Sequence, residues 1–196
     1  MKPLLVVAGL ITSIAVAAPA RAGGYVAAGL GSDAVLTGDL DDQFDAEATG
    51  SGRLAFGVRH GPLALEASAF GAAFAGVSPL AGNRASRGDF SPLSLGVDLK
   101  YHLGVPLLPK LEAYGRAGLN RTWVIASGHS FAVSHSGRGH ALGGGVQLPF
   151  RTLPIVQAAL WLDYTRHSSR LESASGESLR GNAHMLMLGI SLGTRL

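Results

Sequence analysis

The sequence predicts an all-β protein, an eight-stranded antiparallel up-and-down transmembrane β-barrel. Three observations lead to this fold class. The first residues have the pattern of a secretory signal peptide. Apolar and polar residues alternate along most of the remaining chain. The links between the alternating segments are short and long in strict succession, as in barrels that cross a membrane.

The N-terminus has the three parts of a signal peptide. Lys2 gives a positive start, an uncharged and mostly aliphatic run covers residues 4–18, and Ala20-Arg21-Ala22 has the form of a cleavage site. The apolar run is shorter than the roughly 20 residues that a membrane-spanning helix needs. We therefore expect residues 1–22 to be cleaved on export and residues 23–196 to form one outer-membrane β-barrel domain.

Composition excludes several classes of function. The chain has 16 basic and 13 acidic residues, and loss of Lys2 and Arg21 leaves a nearly neutral protein without the basic stripe typical of nucleic-acid binding. It has no cysteine, so we expect neither a disulfide framework nor a lipid anchor on cysteine. Hydrophobic residues make up 47% of the sequence, yet no second apolar run has the length of a membrane helix.

Eight segments of the mature chain alternate with the period of two that is typical of β-strands. In the clearest segment, apolar residues alternate with polar ones as follows: Leu93, Leu95, Val97, Leu99 and Tyr101 against Ser94, Gly96, Asp98, Lys100 and His102. The other segments cover residues 25–31, 53–59, 63–70, 111–120, 141–148, 156–165 and 186–196.

The links between these segments alternate in length. Three are short and contain proline, which cannot donate to a neighbouring strand: residues 60–62, 104–109 and 150–154. Four are long and polar: about residues 32–51, 76–91, 127–139 and 168–182. Short periplasmic turns and long extracellular loops are typical of outer-membrane barrels, so we expect both ends of the mature chain to lie in the periplasm.

The two faces of the segments favour a membrane barrel over a soluble exported β-barrel or β-sandwich. One face is aliphatic and uncharged over the about 9–11 residues that a tilted strand needs to cross a bilayer. The other carries charges of both signs in mid-strand, which are costly against lipid but can pair inside a narrow barrel. We predict a lumen closed by a charge network, with a small-conductance pore as the alternative; its members are Glu66, Asp98, Lys100, Glu112, Arg116 and Asp163.

Aromatic residues near the ends of the segments predict two girdles at the membrane interfaces. Those towards the short turns are Tyr25, Tyr101 and Phe150. Those towards the long loops are Phe74, Phe90, Trp123 and Tyr164.

The whole mature chain resembles the small outer-membrane barrels of the OmpA-like membrane-domain and OmpX-like type. Its final stretch, Gly189-Ile190-Ser191-Leu192-Gly193-Thr194-Arg195-Leu196, is similar to the strand signal that the barrel assembly machinery reads. Members usually end in phenylalanine, where this chain has Leu196. The resemblance implies a Gram-negative outer-membrane location, with outer-membrane lipid, lipopolysaccharide and the barrel assembly machinery as partners. It implies no cofactor and leaves the specific ligand unknown.

One enzymatic alternative concerns the end of the seventh segment. His167 and Ser169 have the His-x-Ser spacing of barrels of the lipid A deacylase type, and Glu177 follows as a candidate third member of a triad. Continued alternation places His167 and Ser169 towards the lumen, away from acyl chains. We therefore expect no enzymatic activity and a structural or surface-interaction role carried by the four long extracellular loops.

The sequence predicts no metal site. The seven histidines include His129, His135 and His140, whose spacing fits no compact ligand pattern. The first long link is predicted to be an acidic solvated loop, with divalent-cation binding as the alternative; its acidic residues are Asp39, Asp41, Asp42, Asp45 and Glu47.

Overall fold

A computed structural model of the chain describes residues 22–31, 34–39, 45–77, 87–106, 108–128, 131–151, 156–173 and 178–194. These residues form nine β-strands: β1 (Ala22–Gly31), β2 (Ala34–Gly38), β3 (Asp45–His60), β4 (Leu63–Val77), β5 (Arg87–Val105), β6 (Leu108–Gly128), β7 (Phe131–Arg151), β8 (Val156–Ser173) and β9 (Ser178–Thr194). No helix among them is long and apolar enough to cross a membrane. Residues 1–21 lie outside the described part, so cleavage of the signal peptide stays a prediction.

The strands form one closed antiparallel sheet. From β3 to β9, each strand pairs with the next in the chain, and β1 closes the ring by pairing with both β3 and β9. β2 also pairs with β9, so β1 and β2 occupy the same position in the ring. The nine strands therefore fill eight positions, which confirms the predicted all-β, up-and-down barrel.

The first strand position is interrupted by a shift in register. Leu30 of β1 pairs with Leu188, whereas Ala34 of β2 pairs with Met185, one residue away from the earlier register. Such a shift changes which alternate residues face the interior. The buried residues of β1 are odd-numbered, whereas Leu36 is the buried apolar residue of β2.

An aliphatic belt surrounds the outside of the barrel. Its side chains are between 42% and 76% exposed and include Val26, Leu30, Leu54, Phe56, Val58, Leu65, Leu95, Val97, Leu99, Leu119, Leu142, Leu160, Leu162, Leu186, Leu188 and Ile190. An apolar surface of this extent marks contact with a membrane or with another protein.

The strands are longer than predicted, and the links at the loop end are correspondingly shorter. β6 and β7 each contain 21 residues, and β7 includes residues 131–139, which were predicted as loop. β8 continues to Ser173 and β9 begins at Ser178, so most of the predicted loop over residues 168–182 is strand. These loop predictions are wrong because backbone pairing continues where outward residues become polar and the apolar alternation stops.

The turn between β3 and β4, the start of β1 and the described end of β9 lie at the end of the barrel opposite the long links. Gly61, with φ of +60°, makes the turn between β3 and β4 with Pro62. Ala22 pairs with His60 beside this turn. The described end of the last strand, Thr194, pairs with Val156. We refer to this end as the turn end and to the other as the loop end.

Candidate functional site

Arg53 on β3 lies at the centre of a group of buried charges in the lumen. Its guanidinium contacts one carboxylate oxygen of Glu66 and lies 3.7 Å from Oδ2 of Asp98. The ammonium of Lys100 lies 2.7 Å from the other oxygen of Glu66. All four side chains are almost completely buried. Two cations therefore share one carboxylate, and a second carboxylate lies close by.

A second buried pair faces this group across the lumen. Nη1 of Arg116 lies 3.6 Å from Oδ2 of Asp163, and each side chain is 1% exposed. The Tyr114 hydroxyl donates to the same carboxylate oxygen at 2.7 Å, and the Thr165 hydroxyl donates to the other one. Both oxygens of this buried carboxylate therefore have hydrogen-bond donors.

A third pair lies nearer the turn end. Nη1 of Arg59 lies 2.7 Å from Oε2 of Glu112, which also accepts a hydrogen bond from the Gln147 amide at 2.7 Å. A cavity of about 80 Å³ adjoins this pair and is lined by Arg59, His102 and Gln147, among others.

The structure places all six residues of the predicted charge network inside the barrel, where they are at most 7% exposed: Glu66, Asp98, Lys100, Glu112, Arg116 and Asp163. The sequence prediction omitted two cations that pair with these acids, Arg53 and Arg59. The signal was available, because both alternate with Leu54, Phe56 and Val58, which face outwards. With these two included, four cations face four carboxylates.

Tyr25 lies inside the barrel, so its predicted place in an interfacial girdle is wrong. Its hydroxyl donates to Oε2 of Glu66 at 2.8 Å. The ring occupies the space beside Gly57, where any Cβ would overlap it. The sequence of β1 gave little indication of this orientation, because small residues occur on both of its faces.

Four of the other predicted interfacial residues are on the outer face. Phe150 and Tyr164 are 40% and 48% exposed. Tyr101 and Trp123 are half-buried and alternate with buried neighbours. Phe74 is 1% exposed and packs inside the barrel, so its predicted place in the girdle is wrong. The side chain of Phe90 lies outside the described residues.

Towards the loop end, the interior of the barrel becomes apolar. We call the residues involved the upper apolar cluster: Leu36, Phe70, Phe74, Val124, Leu171, Leu179 and Met185. The alternation in the sequence does not predict this cluster, because Leu36, Leu171 and Leu179 fall in the predicted loops over residues 32–51 and 168–182.

The candidate hydrolase residues lie in the lumen beside this cluster. The Asn120 amide donates to Nδ1 of His167 at 3.0 Å, and the His167 ring stacks on Phe70. Oγ of Ser169 lies 3.0 Å from the hydroxyl of Thr122. The cavity beside them has a volume of about 30 Å³, enough for roughly one or two water molecules and not for an acyl chain. Glu177 lies outside the described residues.

No group of three or more His, Asp and Glu in the described part of the chain is arranged to hold a metal ion. Asp39 accepts a hydrogen bond from the backbone amide of Arg180 at 2.8 Å. Asp41 and Asp42, with the side chains of Asp45 and Glu47, lie outside the described residues, so divalent-cation binding stays a hypothesis.

No protein-family description matches the chain, and no curated protein matches it by sequence. Solved structures do match it. Neisserial surface protein A (NspA) is 15% identical, with a TM-score of 0.55 over 87% of this chain and 95% of that chain. The attachment invasion locus protein Ail of Yersinia pestis is 16% identical, with a TM-score of 0.52 over 90% of this chain and 99% of that chain. The outer membrane protein OprG from Pseudomonas aeruginosa is 14% identical, with a TM-score of 0.52 over 90% and 97%. The chain therefore has the fold of small outer-membrane β-barrel proteins.

Proposed function

We propose that this chain is a non-enzymatic outer-membrane protein that spans the bilayer as a barrel with a closed lumen. Its role is structural or interactive, exerted through the outer surface and the loop end. The observation that carries the proposal is the distribution of polar and apolar side chains. In the belt region, paired charges lie inside the barrel and aliphatic side chains cover its outside.

The aliphatic belt supports the membrane location. A soluble barrel or sandwich has its apolar face inside and its polar face in water, and the belt region of this chain has the reverse arrangement. No outward position of the described belt carries a charged residue. Charges are avoided on such a face because an arginine or lysine at the bilayer midplane costs roughly 2–4 kcal/mol.

The ion pairs support the closed lumen. The cavity near the turn end and the small cavity beside His167 share no lining residue, and Arg53, Glu66, Arg116 and Asp163 line neither of them. Two spaces without a shared wall, with these paired charges in neither lining, support a lumen that the charges close. Opening a path for ions would leave buried charges without partners, which is strongly unfavourable.

The proposal includes export and orientation. The signal peptide of residues 1–22 is removed, the barrel assembly machinery inserts the mature chain, and both ends of that chain face the periplasm. The short turns at the same end as Ala22 and Thr194 support this orientation, since short turns are periplasmic in outer-membrane barrels.

Cell fractionation combined with a heat-modifiability gel tests the membrane location. We expect the protein in the outer-membrane fraction and expect unboiled samples to migrate differently from boiled ones. A protein that occurs in the soluble periplasm and migrates identically in both samples would contradict the proposal. A soluble periplasmic marker controls for the fractionation.

Single-channel recording in planar bilayers tests the closed lumen. We expect the wild-type protein to be silent. Replacing Arg53 and Lys100 together by serine removes the two cations at Glu66 and should give measurable conductance. Replacing Arg121 and Lys110 by serine removes two positive charges from exposed positions and should leave the protein silent. Stable conductance steps in the wild type would support the small-conductance porin instead.

A further inference from the structure

Four arginines lie side by side on the outer face near the loop end, on four consecutive strands. Arg121 of β6 pairs with Arg138 of β7, Arg138 pairs with Arg170 of β8, and Arg170 pairs with Arg180 of β9. All four are exposed, whereas their neighbours along each strand are buried or half-buried. We call these four residues the arginine row.

Without a bound anion, the like charges of the arginine row repel one another and destabilise the folded barrel. Residues directly opposite each other on antiparallel strands have Cβ atoms about 4.5–5.5 Å apart, and like charges there destabilise the sheet. In the described part of the chain, two carboxylates lie at the row. Oε1 of Glu172 lies 4.0 Å from Nε of Arg170, with both side chains more than half exposed, and Oδ2 of Asp39 accepts a hydrogen bond from the backbone amide of Arg180 at 2.8 Å. Exposed contacts of this kind contribute little, and the described residues set two carboxylates against the four arginines.

On β6 the arginine row begins where the aliphatic belt ends, whereas on β7, β8 and β9 other residues lie between the two. Leu119, which is 75% exposed, precedes Arg121 by two residues on the same face of β6. On β8 the same face continues from Leu162 through Tyr164 to Arg166. The basic positions therefore start at the edge of the belt, where the proposed bilayer presents its headgroups, and Arg170 and Arg180 lie further from the belt than Arg121 does.

Three further basic side chains lie between the arginine row and the belt: Arg166, His140 and His184. The Arg166 guanidinium donates to Oδ1 of Asn182 at 3.1 Å, and the Tyr164 hydroxyl lies 2.7 Å from Nδ1 of His184. The guanidinium of Arg121 also lies over the ring of Trp123, at 5.3 Å from its centre. Several of the basic groups are therefore held in place by neighbouring side chains.

Among the side chains that the structure describes, this basic surface occupies one side of the barrel. Just beyond the belt on β3, β4 and β5, the described outward residues are small and uncharged, for example Gly52, Gly71, Ala73 and Ser91. A general preference for charge at a membrane surface would place basic residues all around the barrel. The one-sided arrangement favours a localised anionic partner.

We propose that the arginine row, together with Arg166 and His184, binds the phosphate groups of a phosphorylated glycolipid of the outer leaflet, the lipid A part of lipopolysaccharide. This inference rests on the membrane location proposed above. Arginine binds phosphate through two parallel hydrogen bonds. The row covers three strand spacings, about 14 Å, so it matches a headgroup with two separated phosphates, while the acyl chains lie against the aliphatic belt.

Isothermal titration calorimetry on the full mature barrel in neutral detergent tests the site, with lipopolysaccharide in the same detergent as the probe. Replacing Arg138 and Arg170 together by glutamine should weaken binding about tenfold or more, because charged hydrogen bonds to phosphate are lost. The control Lys110→Gln removes a positive charge from an exposed position of β6 near the turn end and should leave affinity within about twofold. The double variant should remain heat-modifiable and should be no less stable without lipopolysaccharide, because a like-charge contact has been removed.

Three further probes identify the ligand. Lipopolysaccharide with its phosphates removed, phosphatidylglycerol and inorganic phosphate should each bind more weakly than intact lipopolysaccharide. The proposal is overturned by an unchanged affinity of the double variant, or by any of these probes binding as tightly as the intact glycolipid. A heat-modifiable wild-type barrel that does not bind lipopolysaccharide would overturn this site alone. A wild-type protein that is not heat-modifiable would overturn the proposed function as well.

Discussion

At the scale of single residues, Glu66 is the lumen carboxylate that contacts two buried cations at once. Its two oxygens contact the Arg53 guanidinium, the Lys100 ammonium and the Tyr25 hydroxyl, and its side chain is completely buried. A buried ion pair contributes little net stability compared with apolar packing, but the loss of one partner leaves the other charge uncompensated. Glu66 should therefore be the most sensitive single position of the charge network.

Glu66→Gln keeps the shape of the side chain and removes its charge. We expect the free energy of unfolding to fall by roughly 3–5 kcal/mol, because two buried cations lose their shared carboxylate. Urea unfolding of the protein in lipid vesicles measures this. Glu172→Gln makes the same change at a side chain that is 66% exposed and should alter stability by less than about 0.5 kcal/mol. Equal effects of the two substitutions would contradict the role assigned to the lumen charges.

The residue scale also shows what the sequence could and could not predict. Asp98 and Arg116 were assigned to the lumen because a charge has only one acceptable side in a membrane barrel. Tyr25 was misplaced because tyrosine has an apolar ring and a polar tip, which suit both a membrane interface and a polar lumen. Its orientation follows from the space beside Gly57 and the hydrogen bond to Glu66, both of which depend on other strands.

At the scale of elements, β2 is a short strand that completes the barrel at the loop end. It pairs with β9 from Ala34 to Gly38, and the register shift before it turns Leu36 into the upper apolar cluster. The alternation in the sequence does not predict this strand, because residues 34–38 follow an interruption of the alternating pattern and precede an acidic stretch. Its place depends on pairing with a strand about 150 residues further along the chain.

Leu36→Ala should lower the free energy of unfolding by roughly 2–5 kcal/mol, because it opens a cavity in the upper apolar cluster. Val35→Ala is the matched control, since Val35 lies next to Leu36, faces outwards and is 58% exposed. Its effect should be below about 1 kcal/mol. Chemical unfolding of both variants measures the difference, and equal effects would show that β2 is not packed into the barrel.

The arginine row marks the limit of prediction from single segments. Each of its residues appears in the sequence as one polar position near a predicted loop. Arg138 and Arg170 are neighbours only because β7 and β8 pair in one particular register. The alternation within a strand predicts which face a residue occupies, but the residue opposite it depends on the turn and on the whole length of the paired strands.

At the scale of the whole molecule, polarity reverses along the barrel. In the belt region the outside is aliphatic and the inside is charged, as at Val97 and Asp98. Towards the loop end of β6 to β9, the described outside is basic and the inside is apolar, as at Arg170 and Leu171. In the proposed membrane location, each region presents the polarity of its own surroundings, lipid for the belt and water for the loop end. The same reversal explains why residues 131–139 and most of residues 168–182 were wrongly predicted as loops. In these parts of β7, β8 and β9 the arginines face outwards, and in β8 and β9 the leucines face inwards, as in a water-exposed sheet.

The proposed function requires that the belt face lipid, and site-directed spin labelling tests this directly. The chain has no cysteine, so single labels can be placed at Val97→Cys in the belt and at Arg138→Cys beyond it without further changes. In reconstituted bilayers, collisions with oxygen should exceed those with a water-soluble nickel chelate at position 97, and the order should reverse at position 138. A label at position 97 that the nickel chelate reaches as readily as one at position 138 would contradict the account.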